Sequence, residues 1–250
     1  MAAHAARRPR VGGRGYGDRV STAGFLLVLE GGEGAGKSTL AAGVVDWARS
    51  HGRAVTATRE PGGTPLGERI RDLLLDRAGS PSPRAEALLY AADRAEHVAA
   101  VLRPALAAGE LVVCDRFADS SVAYQGAGRT LDAAEVAGLS RWATGGLVPD
   151  LTVLLDLDPA VGLARAGRRG PADRLESESL EFHRRVREEF RALAAAEPGR
   201  YLVLDAAESP ERLLAMVTGR LARTVAHPAA AAGPAVPVSP AVSASPGAPR

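Results

Sequence analysis

The residues with the plainest chemistry run Gly31-Gly32-Glu33-Gly34-Ala35-Gly36-Lys37-Ser38, with Thr39 next. Their spacing fits G-x-x-x-x-G-K-[ST], between a short apolar run and a segment of helical pattern. Glycines let the backbone take positive φ and approach an anion with no Cβ in the way. Successive N–H groups and the start of the helix can then point at phosphate oxygens. Lys37 would bridge the β- and γ-phosphates of a bound nucleotide, and the Ser38 hydroxyl would ligate Mg²⁺. A glycine-rich turn capping an ordinary helix needs no lysine, whereas this chain keeps its only lysine at position 37.

Other polar residues follow apolar runs. Asp115-Arg116-Phe117 closes one such run, where Asp115 can hold Mg²⁺ directly or through water and Arg116 offers a planar fork matched to a phosphate. After another run comes Thr58-Arg59-Glu60-Pro61-Gly62-Gly63-Thr64, in which Arg59 can supply a second guanidinium beside a turn that passes close to a ligand. Tyr90 and Arg94 lie four apart in a helical pattern, hence on one face, and could stack on a base and donate to its carbonyl. Taken alone, that pair reads as a core tyrosine and a surface arginine. Arg165, Arg168, Arg169 and Arg174 share a short segment with Gly167 and Gly170, the makings of a hinged, cationic lid. A base-reading N-K-x-D element is impossible without a second lysine, which excludes the switch GTPases.

To position these groups, the strands must end beside one another. Phe25–Leu29, Ala54–Thr58, Leu111–Cys114, Leu151–Leu157 and Tyr201–Leu204 read as buried strands separated by helical segments, such as the stripe Phe182, Val186, Phe190 and Leu193. Alternating strand and helix predict an α/β fold: a five-stranded parallel sheet with helices on both faces, ligands at the carboxyl ends of the strands, and a short arginine-rich lid. Asp156 and Asp158 are expected to end the fourth strand and cap the helix beginning at Pro159, outside the site. Residues 1–22 (Gly/Arg/Ala-rich) and 227–250 (Pro/Ala/Ser-rich) are expected to be disordered around a domain at 23–226. Val20-Ser21, just before the first strand, raises an internal translation start, which the intact mass of native protein would test.

Composition narrows the classes further. Net charge is +2, too little for a nucleic-acid binder. There is neither an eighteen-residue apolar run nor an apolar core in the leader, so no membrane span or secretory signal is expected. The single cysteine, Cys114, reads as a small buried strand residue and agrees with the cytoplasm.

Four segments together resemble thymidylate kinases: Glu-Gly-Gly-Glu-Gly-Ala-Gly-Lys-Ser from Glu30, Thr-Arg-Glu-Pro-Gly-Gly-Thr from Thr58, Asp-Arg-Phe from Asp115, and Ser-Ser-Val-Ala-Tyr-Gln-Gly from Ser120. The resemblance spans roughly residues 24–223 and implies a P-loop kinase fold and ATP-dependent phosphorylation of dTMP to dTDP, on the way to dTTP, with ATP and Mg²⁺ as cofactors. It implies that Arg59 and Arg116 hold the monophosphate, Arg94 reads the thymine carbonyl, Ser120 or Ser121 with Gln125 completes the pocket, and Tyr124 lies under the deoxyribose. Glu33 would accept from the 3′-hydroxyl, and Tyr90 stands where members often carry phenylalanine, so its hydroxyl needs a partner. Some members carry a catalytic arginine in the P-loop and others in the lid. With none in this P-loop, Arg165 and Arg169 are the better-matched candidates and Arg168 a rival. Residues 205–209 would line the adenine site, and members are usually homodimers. The competing readings are a P-loop kinase for another nucleoside monophosphate or a nucleoside, and an ATP-binding module without turnover.

Overall fold

The computed structural model describes residues 24–129, 131–168 and 170–225; both expected tails and the lid candidate Arg169 lie outside the described residues. The chain runs β1 (Phe25–Gly31), α1 (Lys37–Ser50), β2 (Val55–Arg59), α2 (Pro65–Leu75), α3 (Pro83–His97), α4 (Arg103–Ala107), β3 (Leu111–Asp115) and α5 (Ala118–Ser121). It continues through α6 (Ala133–Thr144), β4 (Leu151–Asp156), α7 (Pro159–Gly167), α8 (Leu180–Ala196), β5 (Tyr201–Asp205) and α9 (Pro210–Val225). A π-helical stretch, Val98–Leu102, joins α3 to α4, and a second, Val122–Gly128, follows α5.

The five strands are parallel in the order β2-β3-β1-β4-β5. Strand β1 is buried on both faces, and its alternation divides the core. Phe25, Leu27 and Leu29 pack with Leu40 and Val44 of α1 and Val217 of α9, while Leu26 and Val28 join Val98, Leu102 and Phe117. On that second side of the sheet, α8 supplies Phe182, Val186 and Phe190, as its stripe requires, whereas Leu193 is only half-buried. The expectation that all five strands are buried holds for β1, β3 and β4. Strands β2 and β5 are edges, paired on one side only, and leave Ala57 and Val203 exposed.

Helix starts follow from their capping residues. Thr64, Ser82, Asp158 and Ser179 each accept from a backbone N–H two or three residues on, the first three just ahead of a proline in the first turn. Asp158 therefore caps α7 as its position predicts, and Asp156 ends β4 in an ion pair with Arg187. Cys114 is buried in β3.

Register brings the chemistry together: Asp115 stands opposite Leu29 on one side and Arg59 on the other. The turn after β3 is organised by a buried carboxylate. Glu30 accepts from the backbone N–H of Phe117 (2.9 Å) and of Ser120 (3.1 Å) and from the Ser120 hydroxyl (2.6 Å). These bonds lock a turn in which Arg116 has φ 72°, a left-handed conformation that costs a non-glycine residue on the order of 1–3 kcal/mol and persists only where its surroundings impose it.

Burial pushes the Glu30 carboxyl up to about 7, against the pull of the Arg116 charge. A carboxyl raised on folding holds a proton that the unfolded chain has lost. Its contribution to stability is therefore greatest at low pH and falls as pH rises from 4.5 through about 7, by roughly 3 kcal/mol at most. Glu30→Gln removes this titration, so its urea midpoint should vary less than the wild type's between about pH 5 and 8. Parallel profiles would reject the assignment.

Candidate active site

The loop between β1 and α1 forms a cradle because it lies against α7. A Cβ on Gly34, where φ is 66°, would run into the carbonyl oxygen of Gly162, and one on Gly162 would meet the carbonyl oxygen of Glu33. At the helix start Lys37 is buried, and its Nζ donates to the carbonyl oxygens of Gly31 (3.1 Å) and Gly32 (2.8 Å), so the ammonium is held over the loop it serves. Burial lowers its pKa, and the neighbouring Arg116 charge adds to the shift. Ser38 and Thr39 are exposed on the first turn, and the Ser38 hydroxyl donates to Asp115 Oδ2 at 3.1 Å.

Opposite the cradle, Arg116 spans the carboxyl ends of β1 and β3. Its Nη1 donates to Gly31 O (3.0 Å) and its Nη2 to Glu33 Oε1 (2.7 Å), while the guanidinium lies 5.0 Å from the centre of the Tyr124 ring. The Tyr124 hydroxyl donates to the same Glu33 oxygen at 2.8 Å. Burial works against charge on Glu33, but Arg116, Lys37 and the Tyr124 hydroxyl outweigh it and hold the carboxyl down at about 2. Glu33 is therefore an acceptor at any physiological pH. A carboxylate inside an anion-binding loop would repel phosphate, but this one faces Arg116 and Tyr124.

Three joined cavities open along this floor. The first is lined by Tyr90, Arg94, Ser121, Tyr124 and Gln125. The second lies over the cradle between Lys37, Ser38, Asp115, Arg59 and Arg71; Glu33, Arg71 and Arg116 belong to its wall and to the first cavity's alike. The third is lined by Thr39, Arg165, Ala206, Ala207 and Ser209 and shares Ala35, Gly36 and Thr39 with the second.

The base-side wall is a network of long-range bonds. Arg94 is not the surface arginine its helical position suggests when read alone. It is 1% exposed and donates to Glu60, Ser121, Ser140 and the Phe117 carbonyl, which uses four of its five N–H groups. The fifth, on Nη2, remains for the cavity that Arg94 lines. Glu60 also binds His97 Nδ1 at 2.9 Å, whose Nε2 meets the Thr58 hydroxyl at 2.6 Å, so the Pro-Gly-Gly turn is fastened to α3. Gln125 Nε2 donates to Glu86 at 2.8 Å. Ser120 is committed to Glu30 and also accepts from Arg116 Nη1 at 3.3 Å. It thus steadies the arginine, and it lies with Ser121 and Arg94 on the wall of the first cavity.

The remaining arginines divide by place. Arg59 lines the middle cavity but is half-exposed and paired with Glu68 at 3.1 Å. Arg165 reaches from α7 to the Ala206 carbonyl at 3.0 Å, in the third cavity. The residue that sequence reasoning missed is Arg71, which faces both the first and the second cavity and donates to the Pro61 carbonyl at 2.9 Å. The available signal was its spacing: one helical turn after Gly67, a residue packed against Gly62, it must point back toward the same turn.

Among the described residues no helix is long and apolar enough to cross a membrane, and no cluster of three or more His, Cys, Asp or Glu could hold a metal ion by itself. A divalent ion here would take one or two oxygens from the protein, Ser38 and Asp115, and the rest from phosphate and water. Mg²⁺ adopts that arrangement in nucleotide enzymes, so the donor set fits it.

The family model described as thymidylate kinase matches residues 29–217. The chain is 59% identical over 199 residues to a thymidylate kinase of Leifsonia xyli, covering 79% of this chain and 94% of the relative. It is 57% identical over 194 residues to one from Deinococcus radiodurans, covering 78% and 94%. The crystal structure of thymidylate kinase from Ehrlichia chaffeensis superposes with a TM-score of 0.65 at 30% identity, over 80% of this chain and 99% of that one. A parallel sheet, a phosphate cradle and an arginine-lined cavity facing it agree with these likenesses: the chain belongs to the thymidylate kinase family and is a nucleoside monophosphate kinase, a phosphotransferase.

Proposed function

We propose that the protein phosphorylates dTMP to dTDP with ATP and Mg²⁺, the two nucleotides lying end to end along the joined cavities. The observation that carries this reading is Arg116, which stands on the wall common to the first and second cavities. It gives the cradle a second anion site across from it, for which a module that only binds ATP has no use.

In this reading the adenine enters the third cavity beside Arg165 and residues 206–209, with the triphosphate over Gly34–Thr39. The dTMP phosphate is held by Arg116, Arg71 and Arg59, the thymine lies between Tyr90, Arg94, Ser121 and Gln125, and Glu33 and Tyr124 face the sugar. The acceptor phosphate then points at the γ-phosphoryl group. Phosphoryl transfer is mainly a matter of positioning and of cations that neutralise charge as it spreads over the migrating group, which Lys37 and Arg116 supply from opposite sides. Mg²⁺, held through Ser38 and Asp115, neutralises phosphate charge when bound. Arg169 is the catalytic arginine of this reading, and Arg165 serves the donor base or its phosphates. A homodimer, with exposed Leu73, Leu88 and Trp142 as candidate contacts, belongs to this reading by family likeness, and the free buried cysteine is in keeping with residence in the cytoplasm.

ADP release from ATP·Mg²⁺, with dTMP, dUMP, UMP, CMP, AMP and thymidine offered separately, should be strong with dTMP and abolished by Lys37→Ala; preference for another acceptor would overturn the reading. Two arginine variants should separate by kinetic parameter. Arg169→Ala is expected to lower kcat by roughly 10³–10⁵ with little change in KM for ATP, as for arginines that stabilise the transferring group. Arg165→Ala should act mainly on KM for ATP, and an unchanged kcat in Arg169→Ala would remove that residue from the mechanism.

A further inference from the structure

Glu86, in α3, is buried among donors. Its Oε1 accepts from Gln125 Nε2 at 2.8 Å and Arg129 Nε at 3.2 Å, and its Oε2 from Arg129 Nη2 at 3.2 Å and Arg174 Nη1 at 2.6 Å. The side chain is 1% exposed. A carboxylate held by two guanidinium groups has no proton to donate, so a glutamine amide can face it only with its NH₂. An amide is otherwise a two-sided group, able to offer either a donor or an acceptor after a half-turn about its last bond. Here a buried charge makes the choice: with one Nε2 hydrogen held by Glu86 the amide cannot turn over, and Oε1 is the acceptor Gln125 offers the cavity it lines.

We propose that Glu86 is a specificity-determining positioning residue, which holds Gln125 with its carbonyl oxygen toward the base and so sets an acceptor beside the Arg94 donor. That pair complements thymine, whose O4 accepts and whose N3–H donates. It opposes cytosine, which presents an amino group at position 4 and a lone pair at N3. The inference rests on the base-side reading of the first cavity given above. It goes beyond that reading because Glu86 does not touch the base and acts entirely through the orientation of its neighbour. Sites built this way reject the wrong partner strongly, since a mismatch leaves buried polar groups unpaired.

The test compares dissociation constants of dTMP and dCMP, measured by titration calorimetry on the intact protein. Gln125→Met should weaken dTMP by about 10- to 100-fold while leaving dCMP unchanged or tighter, because a repelling oxygen has gone. Equal loss for both would mean the amide turns freely and would overturn the proposal, whether or not any Glu86 variant folds. An unchanged dTMP affinity would instead overturn the base-pocket reading itself, and the proposal with it. Glu86→Gln offers Gln125 either orientation and should reduce the preference for dTMP over dCMP at least tenfold, an effect that vanishes when Gln125→Met is already present. A uniform weakening of both ligands by Glu86→Gln, or the same change of preference in the double variant, would leave Glu86 a structural residue only.

Discussion

The site depends on one constraint: cations meant for phosphate must be held in a poorly solvated place before any phosphate arrives. Lys37 and Arg116 are close enough that each opposes the other's charge, and Lys37 is buried. The fold offsets that repulsion with acceptors that belong to the backbone or to fixed carboxylates. Gly31 accepts from both cations, Glu33 pairs with Arg116, and Glu30 fastens the turn that carries the arginine. Groups arranged in this way need little reorganisation when charge develops, the condition under which electrostatic stabilisation is most effective.

The same constraint explains the backbone. A parallel sheet with β1 at its centre lets the loops after β1 and β3 lie side by side, so the cradle and the arginine opposite it share a floor. Arg116 takes a left-handed conformation there, which only a turn held by buried hydrogen bonds can impose. Strain of this kind marks a residue whose side-chain direction matters more than its local comfort. The capping threonine, serines and aspartate do the complementary work, starting α2, α3, α7 and α8 at defined residues and so aiming Arg71, Arg94 and Arg165.

Much of this was legible in the sequence because it is local. The five apolar runs, the glycine-lysine-serine spacing and the Asp158-Pro159 cap each declare themselves within a few residues, and their elements lie within two residues of where the pattern puts them. What was not legible is long-range. Arg94 looks like a surface residue from its own helix, since its partners Glu60, Ser121 and Ser140 lie tens of residues away. Arg71 belongs to a helix whose Arg69 and Asp72 face solvent, and only the packing of Gly67 against Gly62 reveals its direction. The half-exposed edges β2 and β5 follow from strand order, which no strand's own pattern contains.

The buried carboxylates set direction as well as charge. Glu30, Glu33, Glu60 and Glu86 are each held by N–H groups, and for Glu33, Glu60 and Glu86 an arginine is among the donors. Removing any one carboxylate leaves a buried donor without a partner, which is why such networks are strongly specified even though a buried ion pair adds little net stability. Their value here is directional. An arginine fork or a glutamine amide free to rotate could meet many ligands, whereas one whose other hydrogens are committed presents a single remaining donor or acceptor. Selectivity in this site is thus set less by the residues that would touch a ligand than by the buried acids that decide which of their atoms are left to touch it.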